Sequence, residues 1–221
     1  MKKYPFYLLA LLAYLLLPAG SMAQTDTVIP YLFKKAYTDG RIVLKNKQVI
    51  RTQMNYDTYN QILFYKNGTE EMYMYKMDNV DTVYIGSRWF VPYQNRLLEC
   101  LPVAGGDTLL VDWKCKIKHK GVKGPMGTYS QSGGTASVDM MRLQKKGIDW
   151  DINNYHYLYY HQNTYSYPIN GERKLFTNLK SFLKLFPKEK QKPLKALAKE
   201  LKTDFHRPDE VVRLLQRVGG K

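Results

Sequence analysis

The sequence predicts a mainly β protein (α+β overall): an antiparallel meander curling into an open barrel or sandwich, followed by about three short helices. Three observations carry this. Between residues 41 and 119, apolar and polar residues alternate in short runs rich in Val, Ile, Tyr, Phe and Leu. The runs are separated by turn chemistry at intervals of about 8–12 residues, the spacing of a meander. After Gly171 the apolar period lengthens to that of helices.

Residues 1–23 read as a leader rather than as part of the fold. Lys2 and Lys3 precede a continuous apolar run over 6–17; Pro18 and Gly20 break it, and Ser21-Met22-Ala23 offers the small residues of a cleavage site. The run is too short for a membrane span of about 20 residues. No cysteine lies near the cleavage point, which argues against a lipid anchor. The expectation is a cleaved secretory signal and a mature chain from Gln24, exported to the periplasm, the outer-membrane surface or the medium. Residues 24–170 are expected to form the β-domain, with 28–34 as an edge strand, and 171–221 the basic helical segment.

The expected strands cover 41–45, 48–54, 60–66, 71–77, 80–85, 88–91, 96–103 and 108–119. Asn67-Gly68 fits the centre of a two-residue hairpin, because both residues tolerate positive φ. That register sets Lys66 opposite Thr69 and Leu63 opposite Met72, with Leu63, Tyr65, Met72 and Met74 on one face and Ile62, Phe64 and Tyr73 on the other. A strand apolar on both faces is expected in the middle of a sheet.

Residues 120–138 are rich in Gly, Ser and Thr but lack a phosphate-loop pattern, and lead into an expected strand at 137–143. Asp149-Trp150-Asp151-Ile152-Asn153 opens like a calcium loop, yet Asn154 and Tyr160 stand where glycine and the bidentate glutamate belong, so no metal is expected. The stretch 155–168 is dense in aromatic and imidazole groups. Tyr155, Tyr157, Tyr159, Tyr160, His161, Tyr165 and Tyr167 are candidate ligand-binding residues, on a hairpin turned by Gln162-Asn163. His156 and His161 fall on opposite faces of a strand and do not form a metal pair.

The helices are expected after a Thr177 cap, with Leu179, Phe182, Leu183 and Phe186 inward; from Pro193, with Leu194, Leu197, Ala198 and Leu201 inward; and from Pro208, with Val211, Leu214, Leu215 and Val218 inward. Lys195, Lys199 and Lys202 share the opposite face of the second and are candidate polyanion contacts. Packing on each other or on the sheet is the default, with peripheral membrane contact as an alternative.

The formal charge is +15, and residues 171–221 hold 14 Lys+Arg against 6 Asp+Glu. An exported chain meets anionic glycans and lipids rather than nucleic acid. Cys100 and Cys115 form a candidate disulfide in an oxidising compartment. With Gly105-Gly106 as a two-residue loop, Cys100 faces Val111 and Cys115 faces Arg96, on one face but out of register, so a bridge needs a bulge. No nucleophile–base signature is present, and Cys115 and His119 sit roughly 13 Å apart on a straight strand.

Met54-Asn55-Tyr56-Asp57, residues 83–91 (VYIGSRWFV), the Gly/Ser-rich 126–137 and residues 180–192 (KSFLKLFPKEKQK) resemble small exported proteins of Bacteroidota whose role is unassigned. The resemblance implies an envelope location and a β-plus-helical-tail plan, and no catalytic residues. The expected function is a non-enzymatic envelope protein binding a cell-surface component, an anionic polysaccharide or a protein partner, without cofactor. A lipocalin-like carrier of a small apolar ligand is the alternative, and a cryptic hydrolase the third reading.

Overall fold

The computed structural model describes residues 31–33, 37–119, 122–123, 129–130 and 157–219. The leader, residues 24–30, the expected strand at 137–143, the calcium-like stretch at 149–153, Tyr155 and His156 lie outside the described residues.

Each of the eight runs expected as a strand between residues 41 and 119 forms one, the last of them divided in two. β1 (Thr38–Leu44), β2 (Val49–Asp57), β3 (Ile62–Asn67) and β4 (Glu70–Met74) make one meander; β5 (Val80–Ile85), β6 (Arg88–Tyr93), β7 (Arg96–Pro102) and β8 (Thr108–Asp112) make a second. β1 pairs with β5 and joins them, so the chain departs from a simple up-and-down order. β9 (Cys115–His119), β10 (Val122–Lys123), β11 (Tyr129–Ser130), β12 (Tyr157–His161), β13 (Thr164–Ile169) and β14 (Glu172–Phe176) follow. The main sheet holds ten antiparallel strands in the order β14-β13-β8-β7-β6-β5-β1-β2-β3-β4, with β10–β11 and β9–β12 as separate two-stranded ladders.

The hairpin at Asn67 keeps its expected faces but slips by two residues. Asn67 pairs with Glu70, and Gly68, at φ +64°, takes the first central position of the turn, as in a type II′ geometry. Leu63 now faces Met74 and Tyr65 faces Met72, on one side, while Phe64 faces Tyr73 on the other. β3 is not central, since only β4 lies beyond it. Its second apolar face is buried for another reason: the rings of Tyr31, Tyr37 and Tyr73 close over Phe64, at centroid distances of 5.5, 5.8 and 6.3 Å. Tyr31 bridges Asp57, and the Leu32 amide donates to the Tyr56 carbonyl at 2.9 Å, so the lead-in does pair with the sheet where it is described.

A one-residue correction at the β7–β8 loop changes what faces the core. The Val103 amide donates to the Asp107 carbonyl at 2.8 Å, closing a short 3₁₀ turn over Ala104–Gly106 in which Gly105 and Gly106 both stand at φ +86°. Cys100 therefore pairs with Leu110, not Val111, and Glu99 pairs with Val111. Because side chains alternate across a strand, this slip turns Glu99 inward and Cys100 outward.

The expected strand 108–119 is bent at Trp113-Lys114, and Gln162-Asn163 is a matching corner rather than a hairpin. β12 pairs with β9 and β13 with β8, at one constant offset: His119 opposite Tyr157, Cys115 opposite His161, Asp112 opposite Thr164. The Gln162 amide donates to the Lys114 carbonyl at 2.7 Å and carries the ladder through the bend. Thus two chain segments form one bent ribbon, half of it inside the main sheet.

The sheet curls without closing into a barrel. Its concave side is filled by Ile42, Met54, Tyr56, Leu63, Phe90, Leu97, Val111, Tyr165 and Phe176, all buried. These side chains occupy the space where a lipocalin-like carrier would hold its ligand.

The helices complete the same core. α1 (Leu179–Leu183), α2 (Lys188–Glu200) and α3 (Pro208–Gly219) follow β14. Asn178, not Thr177, caps α1: its Oδ1 accepts from the Ser181 amide at 2.9 Å, and Ser181 Oγ accepts from the Asn178 amide at 3.1 Å. α2 starts at Lys188, before the expected Pro193, which sits inside it and forfeits one helical hydrogen bond. Its C-terminus is a Schellman turn: the Thr203 amide donates to the Ala198 carbonyl at 3.0 Å and the Lys202 amide to the Lys199 carbonyl at 3.1 Å. Phe182, Val211, Leu214 and Leu215 are buried in one cluster with Tyr165 and Phe176. A boundary at residue 170 therefore falls between two paired strands, β13 and β14, of one cored unit. Among the described residues no helix is long and apolar enough to cross a membrane.

Gly40, on β1, is a tight spot: a Cβ there would lie 2.4 Å from the Tyr84 carbonyl oxygen and 3.0 Å from Met54 Sδ. Since the blocking oxygen belongs to a paired strand, Gly40→Ala is expected to cost about 1–3 kcal/mol, read as a lower urea midpoint with unchanged slope.

Candidate functional site

The aromatic residues expected to bind ligand do not share a surface. Tyr157 and Tyr159 lie on β12, and Tyr160 is exposed there. Tyr165 is fully buried, stacked on Phe176 at 5.3 Å, and its hydroxyl donates to the Phe205 carbonyl at 2.6 Å. Tyr167 is also buried and donates to Asp107 Oδ2 at 3.1 Å. These two hold the helices and the β7–β8 loop to the sheet. Their inward turn follows from the corner at Gln162-Asn163, which places β13 in the main sheet.

Lys195 and Lys199 are exposed on one side of α2, with Lys202 following at its left-handed cap, φ +51°. None has a carboxylate partner among the described residues. The face opposite carries buried Ala198 and half-buried Leu194, Leu197 and Leu201.

Cys100 and Cys115 are both buried and free. The corrected register explains the absence of the bridge: Cys100 belongs to the outward row of Leu110, whereas Cys115 follows Val111 and Trp113 in the strand alternation. Burial pushes the Cys100 thiol up to about 11 and the Cys115 thiol up to about 12. Neither is a thiolate nucleophile at neutral pH.

His161 is half-buried, edge-on to Trp113 at 5.6 Å, and its Nδ1 has no hydrogen-bond partner among the described residues. Burial, and secondarily the charge of His206, hold its pKa below the ordinary histidine value. Among the described residues no three His, Cys, Asp or Glu side chains gather around a point that could hold a metal ion.

The structure adds a polar cluster that the sequence reading missed. Glu99, buried on the concave side, accepts from Arg88 Nε at 2.5 Å through Oε1 and from Trp113 Nε1 at 2.6 Å through Oε2. A second nitrogen of Arg88 completes the fork onto Oε2. The guanidinium also lies 5.0, 5.1 and 5.7 Å from the rings of Trp113, Phe33 and Phe90. The cluster floors a groove of about 470 Å³ whose far wall is α3, with Pro208, Val212 and Arg213. Its signal in the sequence was one acidic residue inside the apolar run Leu97-Leu98-Glu99-Cys100-Leu101.

A second concavity, of about 370 Å³, opens at the rim between the β2–β3 and β6–β7 turns, lined by Asn60, Gln61, Ile62, Tyr75, Gln94, Asn95 and Arg96. Gln61 Nε2 donates to Asp112 Oδ1 at 2.6 Å and to the Trp113 carbonyl at 3.2 Å; Asn60 Nδ2 donates to Asp57 Oδ2 at 2.6 Å. Arg96 pairs with Asp112 at 3.3 Å and lies over the Tyr93 ring at 5.4 Å. Burial pushes Asp112 and Asp57 upward; Arg96 opposes this at Asp112, and the amides of the turn oppose it at Asp57.

On the convex face, one cross-strand row holds Arg51, Arg41, Tyr84 and Trp89. The Arg41 guanidinium lies 4.0 Å over the Tyr84 ring, and Trp89 is 36% exposed. Neither arginine has a carboxylate partner among the described residues.

No protein-family model, no curated protein and no solved structure matches this chain.

Removing Glu99 leaves a half-buried guanidinium without its carboxylate. Glu99→Leu is expected to cost about 2–4 kcal/mol in urea unfolding, less than for a fully buried pair because Arg88 keeps some contact with water, with most of the loss recovered in the Arg88→Leu/Glu99→Leu double variant. His161 should give a pH signature. Its folded pKa lies below the unfolded value of about 6.5, so the unfolded chain takes the proton first. Its contribution to stability is complete above that pH and is lost as pH falls toward the depressed value. His161→Gln should show a smaller drop in Tm between about pH 7.5 and 5.5 than the parent protein.

Proposed function

We propose that this chain is a non-catalytic, exported envelope protein that binds an anionic surface polysaccharide. The observation that carries the reading is the placement of its unpaired cations. Lys195 and Lys199 stand exposed on a helix whose other side is docked in the core, with Lys202 exposed at its cap, and Arg41 and Arg51 stand beside Tyr84 and Trp89 on the open sheet face. Cations fixed on rigid elements lose less freedom on meeting a polyanion than cations on a loose tail. Aromatic rings beside arginines suit the apolar faces and acidic groups of a glycan chain.

A binding role is further supported by the use made of the reactive groups. Both thiols are buried and weakly acidic, and Glu99 is consumed by Arg88 and Trp113. The leader expected over residues 1–23 and the resemblance to exported envelope proteins agree with this location.

The test is retention on lipopolysaccharide-coated sensors at rising salt. Truncation at residue 170 is unsuitable, because it removes β14 and the buried helices. The charge reversal K195E/K199E/K202E touches only exposed side chains and leaves the core in place. Binding should weaken steeply between about 0.05 and 0.5 M salt, as screening shortens the reach of surface charges, and the triple variant should lose about tenfold or more in affinity. Absence of binding at low salt by the parent protein sinks the polyanion reading and favours a protein partner.

A further inference from the structure

We infer that the rim concavity between the β2–β3 and β6–β7 turns is a subsite for an uncharged sugar ring. This deepens the envelope-glycan reading and rests on it.

The lining is unusual for its amides. Asn60, Gln61, Gln94 and Asn95 converge on one concavity with Tyr75 and Arg96. A carboxamide offers both donors and acceptors, which is what hydroxyl groups need, since each hydroxyl donates one bond and accepts others. Two of the four amides are fixed beforehand. The nitrogen of Gln61 is held by Asp112 and the Trp113 carbonyl, and that of Asn60 by Asp57. Their oxygens are left as oriented acceptors. Gln94 and Asn95 make no side-chain hydrogen bond to another described residue, so their amides remain free to donate and accept.

Backbone strain coincides with the same residues. Gln61 stands at φ +57° and Gln94 at φ +55°, in the left-handed region that glycine enters without cost. Each non-glycine residue there costs on the order of 1 kcal/mol, and such positions concentrate where a side chain is held for a purpose. The aromatic platform is Tyr75, 60% exposed at the pocket edge, a flat ring for the C–H face of a pyranose. Charge disfavours an acidic ring: Arg96 Nε lies 3.3 Å from Asp112 Oδ2, though without hydrogen-bond geometry, and Asp57 stands behind the same turn, so this wall carries no net positive charge. The polymer's anionic groups fall instead to the lysines of α2 and to Arg41 and Arg51.

The experiment is ¹H–¹⁵N NMR titration of the whole protein with chitotriose and with mannotriose, following the side-chain amide signals of Gln94 and Asn95. Saturable shifts of those signals with at least one trisaccharide are expected. Tyr75→Ala and Asn95→Ala, both exposed and outside the core, should each weaken binding by about tenfold, whereas K195E/K199E/K202E should leave it unchanged. Silence of the pocket amides toward both sugars overturns the subsite, as do shifts that neither pocket variant alters. Lysine-dependent polymer retention with silent amides overturns the subsite alone. Responding amides without polymer retention overturn the polyanion reading and keep the subsite.

Discussion

The shape of this molecule depends on one docking event, in which the end of β2 and the turn after it close against the far meander. Tyr56, fully buried, receives the Leu97 amide on its hydroxyl at 3.3 Å. The Thr58 carbonyl accepts from the Cys115 amide at 2.9 Å, and Gln61 reaches Asp112 and the Trp113 carbonyl. β2 and β7 are not neighbours in the sheet, so these bonds are what convert a flat run of ten strands into a curl with an inside. Without them the concave row of aromatic and aliphatic groups would face water. Each bond contributes only on the order of 1 kcal/mol net, but each also satisfies a backbone or amide group that the curl removes from solvent.

The same docking explains where the polar groups went. A curled sheet with open edges has a rim, and at the rim the core is too thin to be wholly apolar. Glu99, Arg88 and Trp113 fill it on the helix side; Asp57, Gln61, Arg96 and Asp112 fill it on the turn side. The first set is formally neutral and the second carries one net negative charge, with donors on every carboxylate, because a buried carboxylate is tolerable only when donors meet it. The concavities beside them are therefore by-products of closure as well as candidate surfaces for a ligand.

The strands and their faces were legible because alternation is a local property: Leu63 and Phe64 announce a two-sided strand without any tertiary information. The helix stripes at Val211, Leu214 and Leu215 were legible for the same reason. Register was not. At Gly68 and at Gly105-Gly106 the choice of central turn residues moves a strand by one or two positions, and several choices satisfy the same glycines. That single uncertainty put Cys100 on the wrong face and hid Glu99. The candidate site was less legible still. Asn60, Gln61, Gln94 and Asn95 belong to two turns far apart in sequence, and isolated amides in turns are ordinary. Only the curl brings them together. Conversely, the conspicuous tyrosines at 165 and 167 were visible in the sequence because aromatic density is local, yet that density served packing.

The bent ribbon of β8–β9 and β12–β13 has a separate meaning. His119 and Tyr157 are paired partners, so the chain leaves the described ribbon and returns to it at one point. Everything the ribbon supports below that pair is specified before the excursion begins and after it ends. Such an arrangement fixes where the intervening stretch starts and where it ends, through the paired backbone of His119 and Tyr157, independently of the residues between them.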